Sequence, residues 1–180
     1  MRVTRENTIG LIIDIQERLF PVMHEKENLL QNCQILIQGL NELSVPLLVT
    51  QQYTRGLGAT LPEISKLIPG FKSIEKTTFS CYDVPEVREE IKDKSAQNII
   101  LFGIESHVCV LQTAVDLKEA GFNPVVVMDA VSSRTTQNIE LAKERYRHEK
   151  IMMTSYESLL FELTRTAGTA EFKTISKLVK

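Results

Sequence analysis

Three residues of this chain have types and positions that could do chemistry. Cys109 closes the segment Gly103-Ile104-Glu105-Ser106-His107-Val108-Cys109, which directly follows an apolar run. With Ser106 as a helix cap, Cys109 falls in the first helical turn, where free N–H groups and the helix dipole favour a thiolate. A buried small hydrophobe is the other reading of such a position. Asp14 also ends an apolar run, and could serve as a proton acceptor or as a cap for a short turn at 16–20. Lys76, in Ile74-Glu75-Lys76-Thr77-Thr78-Phe79, reads alone as a solvated side chain; beside a thiol its ammonium would lower the thiol pKa.

Such groups must be delivered by a scaffold. Five short, non-alternating apolar runs, at 9–13, 46–49, 98–102, 124–128 and 151–153, predict strands buried on both faces, with a sixth at 73–77. Helical patterns lie between them. In 25–43, Leu29, Cys33, Leu36, Leu40 and Leu43 form one apolar stripe, which makes Cys33 a core thiol. Helices are also expected at 106–120, ended by Gly121, and at 136–150. Thr60 to Glu63 and Thr154 to Glu157 have capping-box spacing, and Asp83 is placed to cap another helix. Alternating strands and helices predict a three-layer α/β/α, doubly wound, mostly parallel (Rossmann-like) sheet in a single domain over 1–180. Ligands of such sheets bind at the carboxyl ends of the strands, where Asp14 and Cys109 fall.

The 180 residues carry 21 Lys+Arg against 23 Asp+Glu, a formal charge of −2, and no Trp. That excludes a strongly basic footprint and a base-stacking platform, so no nucleic-acid partner is expected. Cys33, Cys81 and Cys109 are odd in number and form no C-x-x-C, which leaves no full disulfide framework and no cysteine-rich zinc motif. No apolar run has spanning length, and Met1 to Glu6 has no signal-peptide core. The expectation is a reducing, cytoplasmic setting without membrane contact.

The segments Asp14-Ile15-Gln16-Glu17-Arg18-Leu19-Phe20, Lys76-Thr77-Thr78-Phe79 and Gly103 to Val110, in this order and spacing, resemble the isochorismatase-like cysteine hydrolase superfamily, which includes nicotinamidases. The resemblance covers nearly the whole chain. It implies an Asp14, Lys76, Cys109 triad, and a cis Ile104–Glu105 peptide that presents the N–H groups of Glu105 and Cys109 as an oxyanion hole. Nicotinamidases carry a metal-binding Asp-x-His after the second strand. Here Thr50-Gln51-Gln52-Tyr53-Thr54 stands there instead, so no metal and no other cofactor is expected. The Gln52 to Gly58 stretch resembles an isochorismatase-domain branch whose substrates are mostly unknown.

The implied activity is covalent hydrolysis of a small amide or related acyl substrate. Leu19, Tyr53, Phe79 and Val108 are candidates for an apolar pocket wall or for core packing. A dimer or tetramer is expected. The C-terminal stripe of Phe172, Ile175 and Leu178 would pack on the domain or on a partner subunit. His107 lies two residues from Cys109, poor spacing for a dyad on a helix. Cys81, in the loop Thr78-Phe79-Ser80-Cys81-Tyr82, reads as a bystander or as a thiol near the site, and Asp129, which ends a strand, as a structural group before a functional one. The alternatives to a hydrolase are a catalytically silent binding or scaffold protein of the same fold, and a redox protein using Cys109.

Overall fold

The computed structural model describes residues 2–180. Six parallel strands form one sheet in the order β3-β2-β1-β4-β5-β6. They are β1 (Thr8–Ile13), β2 (Leu47–Gln52), β3 (Ile74–Lys76), β4 (Asn98–Ile104), β5 (Asn123–Ser132) and β6 (Met152–Thr154). Every residue of β1 and β4 is buried, which explains why these central strands are continuous apolar runs.

The helices are α1 (Lys26–Glu42), the single turns α2 (Thr54–Leu57) and α3 (Pro62–Ser65), α4 (Pro85–Asp93), α5 (Leu111–Glu119), α6 (Thr136–His148), α7 (Tyr156–Thr164) and α8 (Ala170–Leu178). One face of the sheet carries α1, α7 and α8; the other carries α4, α5 and α6. The chain winds from β1 toward β3, then crosses to β4 and winds the other way. The switch between β1 and β4 leaves a crevice at their carboxyl ends.

Packing follows the predicted stripe. Leu29, Cys33, Leu36 and Leu40 of α1 are buried, each leucine contributing roughly 1.5–3 kcal/mol of transfer energy. Phe172 of α8 stacks against Phe161 of α7 at 6.1 Å and Ile175 is fully buried, so the C-terminal stripe packs on its own domain. Gly121 has φ of 88° and closes α5 as expected: Phe122 N donates to Leu117 O and Gly121 N to Lys118 O, the paired bonds of a Schellman cap.

Several expected boundaries are corrected. Thr60 caps nothing; it forms an antiparallel bridge with Gln16, while Leu61 precedes α3. Ser155, not Thr154, caps α7. Val84, not Asp83, precedes α4, because Pro85 supplies the N1 position that needs no donor. Glu105, not Ser106, precedes a π turn at Ser106–Val110, and α5 begins only at Leu111. Strand β5 runs past Met128, since its pairing with β4 slips between Leu101 and Gly103. Asp129 therefore lies inside the strand. Its Oδ1 accepts the Tyr156 N–H at 2.9 Å, a structural bond at the start of α7.

Gly103 is where β4 and β1 nearly touch. Its φ is 119°, and a Cβ would sit 2.2 Å from the Ile13 carbonyl oxygen. Neither atom is the far end of a flexible side chain, so Gly103→Ala is expected to cost about 3 kcal/mol, roughly a 10 °C drop in Tm. A melting curve within about 2 °C of the parent would show that this approach is not tight.

Candidate active site

The parallel register builds the site. Ile13 pairs Thr50 and Gly103, and Gln52 pairs Lys76, so the ends of β1, β2, β3 and β4 converge. Asp14 leaves β1 with φ of 53° and is fully buried. Its Oδ1 accepts the Thr50 hydroxyl at 2.8 Å. Its Oδ2 lies 2.6 Å from Lys76 Nζ, and both side chains are shielded from solvent. Asp14 is thus no helix cap, and Lys76 is not a solvated lysine.

The Lys76 ammonium has three protons and four oxygens around it. Besides Asp14, it donates to Gln52 Oε1 at 2.6 Å, Thr78 O at 3.2 Å and Phe79 O at 3.3 Å. Asp14 Oδ2 has no well-angled hydrogen bond, so the contact with Lys76 is ionic and off-axis. Burial pulls the Lys76 pKa down. The Asp14 carboxylate, with Cys81 and Cys109 once they ionise, outweighs it, and the net shift is upward.

Cys109 sits in the π turn, 8% exposed, while Cys33 and Cys81 have no exposed surface. Thr113 Oγ1 donates to its carbonyl at 2.6 Å, and the buried Tyr146 hydroxyl holds the Ser106 carbonyl at 2.5 Å. These bonds pin both ends of the turn. The Ile104–Glu105 peptide is cis. The Glu105 carboxylate meets Arg134 Nε at 3.2 Å.

The ionisation of Cys109 differs from the sequence expectation. Burial first, then the Asp14 carboxylate, push its thiol up to about 12, against the downward pull of Lys76. The nearby Cys81 pushes the same way. The resting group is a thiol, because desolvation in the crevice outweighs the ammonium.

Cys81 is not a remote bystander. It opens a 3-10 turn (Cys81–Asp83), and its Sγ lies 3.6 Å from Thr50 Oγ1. Its N–H donates to the same Thr113 hydroxyl that holds Cys109. Burial pushes its thiol up to about 11. Both thiols stay protonated in the fold beyond the ordinary value of 9.0. The fold holds that stabilisation below about pH 9 and loses it as pH rises toward 11–12. Tm measured from pH 8 upward is expected to fall above pH 9, and to fall less in Cys81→Ala; identical slopes would contradict this.

The proposed wall residues separate. Val108 is half-buried in the π turn, and Leu19 is half-buried against the core. Tyr53 and Phe79 are 51% and 56% exposed. Their backbones touch Lys76, but the Tyr53 ring lies over Gly56. The two rings stand at a rim instead of forming an enclosed wall. His107 makes no dyad; its Nδ1 is 2.9 Å from Ser133 Oγ. At the end of β2, Thr50 and Gln52 point their polar groups at Asp14 and Lys76, and among the described residues no cluster of three His, Cys, Asp or Glu could hold a metal. The residues there do not fit the metal centre of nicotinamidases.

A parallel sheet wound both ways, with carboxylate, ammonium and thiol meeting at its switch point, defines an α/β protein with a hydrolase fold. The isochorismatase domain family matches residues 8–158, and the chain belongs to that family. The secreted isochorismatase effector Isc1 of Phytophthora sojae is 39% identical over 99% of this chain and 87% of its own. Mouse isochorismatase domain-containing protein 2A is 34% identical over 99% and 85%. Among solved structures, the MAR1 ribonuclease of Caenorhabditis elegans superposes with a TM-score of 0.93 at 34% identity, covering 99% of this chain and 92% of that one. The Escherichia coli YcaC gene product, described as an octameric hydrolase of unknown specificity, shares the fold with a TM-score of 0.92 at 21% identity, over 99% and 90%. Among the described residues, no helix is long and apolar enough to cross a membrane.

Proposed function

We propose that the chain is a metal-independent cysteine hydrolase of small amides or related acyl compounds. One observation carries this reading: Asp14 and Lys76 form a fully shielded ion pair at 2.6 Å, and the charges of that pair act on Cys109, the one thiol with exposed surface. A buried pair of this kind is costly to keep for stability alone.

Asp14 takes the Cys109 proton as Sγ attacks the acyl carbon, and the carbonyl electrons move onto oxygen. The N–H groups of Glu105 and Cys109 are the proposed donors to that oxyanion. The oxyanion re-forms the carbonyl, the C–N bond breaks, and Asp14 gives its proton to the leaving amine. Asp14 then takes a proton from water, which attacks the thioester; the acid leaves and the proton returns to sulfur. Lys76 stays charged throughout and holds Asp14 in place.

Self-association into a dimer or tetramer and a cytoplasmic, reducing setting belong to the same proposal, as does the absence of a nucleic-acid partner at a net charge of −2. The ribonuclease named above makes RNA a necessary member of any substrate panel.

Iodoacetamide labelling of the folded protein with peptide mass mapping is the first test. Cys109 is expected to label at least about tenfold faster than Cys33 or Cys81, with a rate that climbs with pH beyond 9. Equal labelling of the three would remove Cys109 as nucleophile. A binding or scaffold role would instead give normal labelling and no turnover across amides, esters and RNA.

A further inference from the structure

Gln52 stands out as a polar group spent on the site without touching the reacting atoms. Strand pairing sets it beside Lys76. Its Nε2 donates to Thr77 O at 2.9 Å, which fixes the amide so that Oε1 faces the ammonium at 2.6 Å. Its backbone is clamped on both sides by the fully buried Gln16: Gln52 N donates to Gln16 Oε1 at 2.7 Å, and Gln16 Nε2 donates to Gln52 O at 3.0 Å. Gln16 Nε2 also reaches Gly58 O at 2.7 Å. Turning this amide away from Lys76 would break its bond to Thr77 O as well, while Gln16 keeps the backbone beneath it in place.

The consequence lies in proton counting. An ammonium with three N–H groups cannot point one at each of four oxygens. Gln52 Oε1 is the nearest neutral acceptor, and the Asp14 Oδ2 contact is the one left off-axis. We propose that Gln52 is a positioning residue for proton transfer between Asp14 and Cys109. Its amide oxygen draws one N–H of Lys76 off Asp14, which leaves Oδ2 an open acceptor for the thiol proton. The proposal rests on the hydrolase reading for its purpose, and on the hydrogen bonds alone for its test.

The groups that face the pair are known. Asp14 follows β1, Cys81 comes from the 3-10 turn and Cys109 from the π turn. Glu75 and Glu17 are nearby in the chain but tied elsewhere, to the N–H groups of Thr54 and Ala59. Glu105, at the end of β4, faces Arg134.

Two substitutions of similar size pull in opposite directions. In Gln52→Leu the freed N–H turns onto Asp14, cancels more of its charge, and loosens its hold on the thiol proton. In Gln52→Glu a second carboxylate competes for the ammonium, so Asp14 holds that proton harder.

The measurement is the rate of Cys109 alkylation by iodoacetamide at pH 8.5, by mass mapping, with Tm recorded for each variant. Gln52→Leu is expected to react at least about threefold faster than the parent and Gln52→Glu at least about threefold slower. Gln52→Asn keeps an amide and serves if the leucine variant fails to fold; its shorter reach gives a smaller change in the leucine direction. Shifts of the same sign in Gln52→Leu and Gln52→Glu, or no shift in either, would overturn the proposal, since a purely structural loss opens the site in both. Because alkylation needs no substrate, opposite shifts with no turnover in any screen would sink the hydrolase reading and leave this one standing.

Discussion

Cys109→Ala is expected to lower turnover of any amide or ester the protein accepts by about 10⁴-fold while moving Tm by no more than a few degrees. The asymmetry follows from position. Cys109 lies just past the carboxyl end of β4 with 8% of its surface exposed, in a turn held by the hydroxyls of Thr113 and Tyr146 and not by its own sulfur. Removing the sulfur deletes the proposed nucleophile and little else. The thiol is also protonated at rest, so removing it relieves a buried polar group instead of exposing one. Cys109→Ser is expected to fail almost as completely. A serine hydroxyl is a far weaker nucleophile than a thiol, and Asp14 has no imidazole to help it. Steady-state turnover and a melting curve on the same samples decide the matter. A variant that loses turnover only in step with folding would contradict the assignment.

Asp14→Asn is expected to fail differently. Turnover drops by about 10³-fold, the range for loss of a general base. Stability drops as well, by about 3–5 kcal/mol, because Lys76 is left as a buried cation without its counter-charge. Lys76→Met strands Asp14 in the same way. The double variant Asp14→Asn, Lys76→Met removes both charges. It is expected to recover most of the lost stability and none of the activity. That split separates the pair's structural cost from its chemical use. If the double variant were as unstable as the sum of the singles, the two groups would not be acting as a pair. If it regained turnover, Asp14 would not be the base.

What the sequence revealed depended on distance along the chain. The central strands were legible because burial on both faces leaves apolar runs with sharp polar ends. The stripe in α1 was legible for the same local reason, and with it the core role of Cys33. Asp14 and Cys109 stood out because they follow such runs. Lys76 did not; its edge strand is three residues long and one of the three is exposed, so only the family resemblance pointed to it.

The second layer of the site was not legible. Thr50, Gln52, Cys81 and Thr113 are separated by up to 63 residues from one another in sequence and meet through strand register and the two threonine hydroxyls. No local pattern marks them. The π turn had no signature either, since its residues read as the first turn of a helix. The state of the thiol is not legible for a physical reason: an ammonium and a helix start are visible in sequence, but desolvation is a property of the packed fold. The excursion in β5 that carries Asp129 into the strand likewise arises from its pairing with β4, not from its own residues.

The central claim is a covalent intermediate on one sulfur. Intact-protein mass spectrometry of a rapidly quenched reaction with an acyl substrate tests it most directly. An adduct of the mass of the acyl group is expected, mapped to Cys109, that disappears at the rate of product release and never forms in Cys109→Ala. Turnover with no adduct at any quench time, or an adduct that survives in Cys109→Ala, would contradict it.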